Sequence, residues 1–72
     1  MAIVTINTPY ITLGQLLKEA GVIDSGGAAK AYLAVNTVRI NGAPDSRRGR
    51  KLVPGDKLAL PDGAAITVAS AQ

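Results

Sequence analysis

Residues 38–42, Val-Arg-Ile-Asn-Gly, constrain the fold of this chain more than any other stretch. Val38 and Ile40 alternate with Arg39, the period of a strand buried on one side. Asn41-Gly42 follows, and a type I′ hairpin turn needs two residues that tolerate positive φ. The chain is therefore expected to fold back antiparallel on itself here. The return strand begins near Ala43 and is short, because Pro44 cannot donate to a ladder.

The pattern on either side completes an outline. Ile3-Val4-Thr5-Ile6 is β-branched and reads as a strand ending at Asn7-Thr8-Pro9. Thr12-Leu13-Gly14-Gln15 is a capping box, with Leu13, Leu16, Leu17 and Ala20 on one helical face and Gly21 as the stop. Lys18 and Glu19 point away from that face. Asp24 or Ser25 can cap a second helix whose apolar side is Ala28, Ala29, Tyr32, Leu33 and Val35. Asn36 stands at its end, where a left-handed residue is expected. Leu52-Val53 leads into the turn Pro54-Gly55-Asp56, Lys57 to Leu60 alternates again, Pro61-Asp62-Gly63 turns the chain, and Ile66 to Val68 forms a last strand. The order is β-α-α-β-β-β-β. This predicts an α+β fold, a helix-turn-helix pair packed on a small, mostly antiparallel β-sheet, as one domain over residues 1–72.

Composition narrows the function. The chain has 72 residues, no Cys, no His, no Phe and no Trp. Thiolate nucleophiles, disulfides and Cys- or His-ligated metals are excluded, and so is the usual general base near pH 7. The acids Glu19, Asp24, Asp45, Asp56 and Asp62 lie at turns and helix ends and form no ligand pattern. A core this small leaves little room for an enclosed ligand pocket. No enzyme activity, cofactor, metal or small-molecule substrate is expected. No run approaches the ~20 apolar residues of a membrane span, and Met1 to Asn7 lacks the form of a signal peptide. A cytoplasmic protein is the expectation.

The formal charge is +3, and half of the eight Lys and Arg residues fall in Arg47, Arg48, Arg50 and Lys51. Four cations so close repel one another unless an anion is near. A solvated, solubilising loop is the plain reading. Three Arg to one Lys favours phosphate, since a guanidinium is a planar fork of donors. Ser25-Gly26-Gly27 before Lys30 can leave amides uncovered at a helix N-terminus, an anion site in principle. The same glycines can equally serve close helix packing. Arg39 projects from the polar side of its strand, as a solvated residue or as a contact. With only Tyr10 and Tyr32 as aromatics, base stacking has no platform. Structured RNA, held through phosphates, 2′-hydroxyls and shape, suits this composition better.

Several segments in this order resemble the S4-like RNA-binding domain, the alpha-L motif. They are Leu16 to Gly21, Ala29-Lys30, Val38 to Gly42 and Pro54-Gly55-Asp56-Lys57-Leu58. Asp24-Ser25-Gly26-Gly27 and Arg47-Arg48-Gly49-Arg50-Lys51-Leu52 are similar to its small single-domain, YaaA/YbcJ-like branch. The resemblance covers Leu13 to Leu60. It implies binding of structured RNA, mostly ribosomal, through the helix pair and hairpin, and a part in ribosome maturation on ribosomal particles. By position the contacts it implies are Ser25, Gly26, Gly27, Lys30, Arg39 and the 47–51 loop, with Lys18 beside them. Two positions depart from the family: Gly26 stands where a basic residue is frequent, and Asn36 where Gly is usual. The first shifts electrostatic work toward the loop.

A β-grasp interaction module is the alternative reading. It too combines a strand, a helix, an Asn-Gly turn and a Gly-Asp strand. A sulfur carrier of that type needs a C-terminal Gly-Gly, whereas this sequence ends Ala69-Ser70-Ala71-Gln72. The second helix and the basic loop also fit it poorly.

Overall fold

A computed structural model describes residues 2–71. The chain forms β1 (Ala2–Ile6), β2 (Ile11–Thr12), α1 (Leu13–Glu19), α2 (Ala28–Val35), β3 (Val38–Ile40), β4 (Ala43–Asp45), β5 (Lys51–Leu52), β6 (Lys57–Ala59) and β7 (Ala65–Ser70). The fold is α+β, with two helices and a mixed sheet. Five strands run in the order β1-β7-β6-β3-β4, while β2 and β5 make a separate two-stranded ladder.

Local chemistry accounts for several boundaries; α2, expected to be capped by Asp24 or Ser25, instead has Gly27 at its N-cap, which supplies no side-chain cap. The Thr12 hydroxyl accepts from the Gln15 amide at 3.3 Å, and the Gln15 side chain accepts from the Thr12 amide at 3.2 Å, so the capping box is complete. At the other end of α1, Gly21 has φ +79. Its amide donates to the Lys18 carbonyl and that of Val22 to the Leu17 carbonyl, each at 3.0 Å. These are the two bonds of a Schellman motif, which satisfy carbonyls the helix leaves open. The hairpin turn carries positive φ at both Asn41 and Gly42, as a type I′ turn requires. Asn36 differs from expectation. It is extended (φ −129), and its Nδ2 donates to the Tyr32 carbonyl at 3.0 Å. Its side chain caps α2, so no left-handed residue is needed there.

Leu13, Leu16 and Leu17 of α1 and Ala29 and Leu33 of α2 share one core with Val38, Ile40, Leu58, Ile66 and Val68 of the sheet. Each fully buried Leu or Ile contributes about 1.5–3 kcal/mol. Val35 does not join them. It is 82% exposed, because the helix turns its last residue away from the sheet. In the sheet, β1 runs parallel to β7, whereas the β3–β4, β3–β6 and β6–β7 ladders are antiparallel. Val38 and Ile40 face the helices, and Arg39 takes the opposite face with Lys57 and Ala59. Among the described residues no helix is long and apolar enough to cross a membrane.

Candidate nucleic-acid interface

The segment from Ser46 to Lys51 is docked rather than free. The amides of Leu13 and Gly14, which open α1, donate to the carbonyls of Arg50 and Arg48 at 2.8 and 2.9 Å. Helix N-termini have amides to spare and a positive end that carbonyl oxygens complement. Lys51 and Leu52 continue into the ladder with Thr12 and Ile11. Residues 46–51, which from the sequence look like a solvated loop, are thus tied to α1 and β2 by backbone bonds. Two-residue strands have no period to read, so neither β2 nor β5 was visible.

Gly14 makes this docking possible. It is buried, and a Cβ added there would lie 3.3 Å from the Ala29 Cβ and 3.5 Å from the Arg48 carbonyl oxygen. The glycine that admits close approach is thus Gly14 rather than Gly26 or Gly27. Gly26 and Gly27 face open space. The start of α2 supplies fewer open donors than its glycines suggest. The amide of Ala28 donates to the Ser25 side chain and carbonyl, and that of Ala29 to the Gly26 carbonyl.

The loop cations divide into three groups. Asp45 is the anion that their mutual repulsion calls for. It accepts from Arg47 Nε and Nη2 at 3.2 and 2.9 Å, from the Arg47 amide at 2.9 Å, and from Arg50 Nη1 at 3.1 Å. The Arg47 side chain, then its amide, hold the Asp45 carboxyl well below the usual carboxylate range, against an opposing desolvation. Lys51 places its Nζ 4.8 Å from the centre of the Tyr10 ring, a cation–π contact. Arg48 has no ion pair among the described residues.

Arg48 is also where two clefts meet. One, of about 310 Å³, is lined by Lys18, Gly26, Arg48 and Gly49 together with Thr12, Gly14 and Gln15. The other, of about 370 Å³, is lined by Lys30, Leu33, Ala34, Ser46 and Arg48. Lys18 from α1, Lys30 from α2 and Arg48 from the loop therefore converge, although far apart in sequence. No acidic side chain lines either cleft. Arg39 does not join them: it lies on the face of the sheet turned away from the helices, and its Nη1 donates to the Gly42 carbonyl at 3.3 Å. Among the described residues no group of His, Cys, Asp or Glu could hold a metal.

The arrangement can hold two or three neighbouring anionic groups against a backbone hydrogen-bonded to the start of α1. Neither tyrosine lines the two clefts, and Tyr10 carries Lys51 over its ring. Comparison with known proteins places the chain. It is 57% identical over 57 residues, 79% of this chain and 80% of the relative, to the Bacillus subtilis protein named "Probable ribosome maturation protein RlbA". It is 35% identical over 52 residues, 72% of this chain and 74% of the relative, to the Escherichia coli protein named "Putative RNA-binding protein YbcJ". No solved structure matches it. Residues 4–69 match the S4 domain, and the chain belongs to the S4 domain family.

Proposed function

We propose that this protein binds structured RNA, ribosomal RNA in particular, and takes part in ribosome maturation in the cytoplasm, acting by docking rather than by catalysis. The observation that carries the reading is the position of Arg48, shared by two clefts with Lys18 on one side and Lys30 on the other. Three cations without an ion pair among the described residues, carried by α1, α2 and the docked loop, suit successive phosphates. Phosphate contacts set register and orientation, while A-form shape and 2′-hydroxyls set preference. The names of the two bacterial relatives support the RNA and the ribosome.

In this reading residues 1–72 act as one unit, the helix pair and hairpin of an S4-like domain. Lys18, Lys30 and Arg48 take phosphates directly. Gly26 lines one cleft and leaves room for an RNA backbone to approach, with Ser25 and Gly27 beside it in the chain. Arg47 and Arg50 stay on Asp45 until a phosphate competes for them. Lys51 contacts flanking RNA, while Arg39, on the other face of the sheet, stays outside the docked surface.

The test is binding of ribosomal RNA fragments across a salt series. Neutralising three or four phosphates gives a slope of log K on log salt of about −3. The triple substitution Lys18→Gln, Lys30→Gln, Arg48→Gln should weaken binding by roughly 100-fold or more and flatten that slope while the fold persists. Unchanged affinity in a folded triple variant would remove the basis of the reading.

A further inference from the structure

We infer that the free edge of β1 is a self-association surface, through which two copies of this chain join their sheets. A sheet has two edges, and this one protects only one of them. At the β4 edge the central residue is Pro44, which has no amide to donate. At the other edge β1 reads Ala-Ile-Val-Thr-Ile, with no charge and no proline. Exposed edges of that composition are templates for pairing with another chain.

The backbone directions make β1 complementary to itself. The amide of Ala71 donates to the Ile6 carbonyl at 2.8 Å, so the backbone groups of Ile6, and by alternation those of Val4 and Ala2, face β7. Those of Ile3 and Thr5 face outward. Two β1 strands set antiparallel about a dyad at Val4 bring Ile3 opposite Thr5 of the second copy, and Thr5 opposite its Ile3. Each such pair exchanges two N–H···O bonds, four in all. The same register sets Val4 against Val4, and Ala2 against Ile6, on the helix side. There an open groove of about 570 Å³ runs beside β1, with Val4, Ile6, Tyr10, Ile11 and Gln15 in its walls. The inward side chains of the second β1 cover it. Ile3, 68% exposed, gains a cross-strand neighbour. A dyad of this kind is normal to the sheet, so the helices of both copies lie on the same side. The paired RNA surface this creates rests on the function proposed above, whereas the dimer does not.

The experiment measures the protein without RNA. Sedimentation equilibrium up to about 1 mM should show the mass rising from 7.3 kDa toward twice that value. Thr5→Pro removes only an outward-facing amide, and Ile3→Lys charges the edge. Each should hold the mass at the monomer value with unchanged circular dichroism, and either one, folded, suffices. Because the chain has no cysteine, single reporters fix the register. Under mild oxidation Val4→Cys should cross-link, whereas Ile3→Cys and Thr5→Cys should not, since their own copies lie beyond disulfide reach. A monomer at every concentration, dimerisation unaffected in the folded Thr5→Pro or Ile3→Lys protein, or cross-linking through position 3 or 5 instead of 4 would each overturn the inference.

Discussion

Asn41 and Asp56 are joined side chain to side chain, with Nδ2 of the first donating to Oδ1 of the second at 3.0 Å. The Asn41 side-chain oxygen accepts from the Lys57 amide at 3.0 Å, and the other Asp56 oxygen accepts from the Val53 amide at 2.9 Å. The Asn-Gly turn and the Pro-Gly-Asp turn are thus two ends of one clasp between β3 and β6. Asn41→Gly keeps the positive φ and deletes only the side-chain bonds. It should cost about 1–2 kcal/mol in urea unfolding. Combined with Asp56→Ala, the double-mutant cycle should show a coupling of about 0.5–1.5 kcal/mol.

Gly14→Ala should destabilise the protein by about 1–2 kcal/mol, although Gly→Ala inside a helix ordinarily gains up to ~1 kcal/mol. The added Cβ meets Ala29, itself wholly buried, and the Arg48 backbone, neither of which is the end of a flexible chain. For a chain of this size the melting temperature should fall by roughly 4–16 °C.

The arginines of the loop should be unequal in RNA affinity. Arg48→Gln should weaken binding by roughly tenfold, about 1.4 kcal/mol. Arg47→Gln should weaken it less, because its guanidinium already engages Asp45 and leaves that partner only reluctantly. Arg39→Gln, on the other face of the sheet, should change it least. Titration of one RNA fragment against the three variants at fixed salt ranks them.

Acid should unfold the protein partly through Asp45 and Asp56, both held below the usual carboxylate range. For Asp56 the main cause is the Val53 amide, followed by the Asn41 side chain. A depressed carboxyl adds stability that is complete above the ordinary value of about 4 and is lost as pH falls through the native one. Urea midpoints should hold steady from neutrality to about pH 4 and then decline. Asp45→Asn should lower the plateau and flatten the decline.

What the sequence revealed about this fold is what depends on neighbours in the chain. Thr12 with Gln15, Gly21, and Asn41 with Gly42 each satisfy or strain the backbone within a few residues, so the capping box, the helix stop and the hairpin were all legible. The β1–β7 pairing was not, because a parallel ladder leaves no local turn to mark it. Val35 continues an apolar pattern that the geometry of a short helix does not honour. Gly14 carries a signal in the sequence itself, because a glycine inside an otherwise good helix needs a packing reason. At the candidate site, clustering in sequence misled in part. Arg47, Arg48, Arg50 and Lys51 are neighbours in the chain but have three different environments. Lys18, Lys30 and Arg48 are distant in the chain and line adjoining clefts, which only the tertiary fold could show.

The parallel pairing of β1 with β7 also governs how this molecule comes into being. Ala2 pairs with Ile66 and Ile6 with Ser70, so β1 waits for a partner synthesised about sixty residues later. A pairing of such long sequence separation raises contact order, and its closure entropy must be met before the contacts reward it, which slows the search. On the ribosome, the sheet remains incomplete until β7 has cleared the exit tunnel.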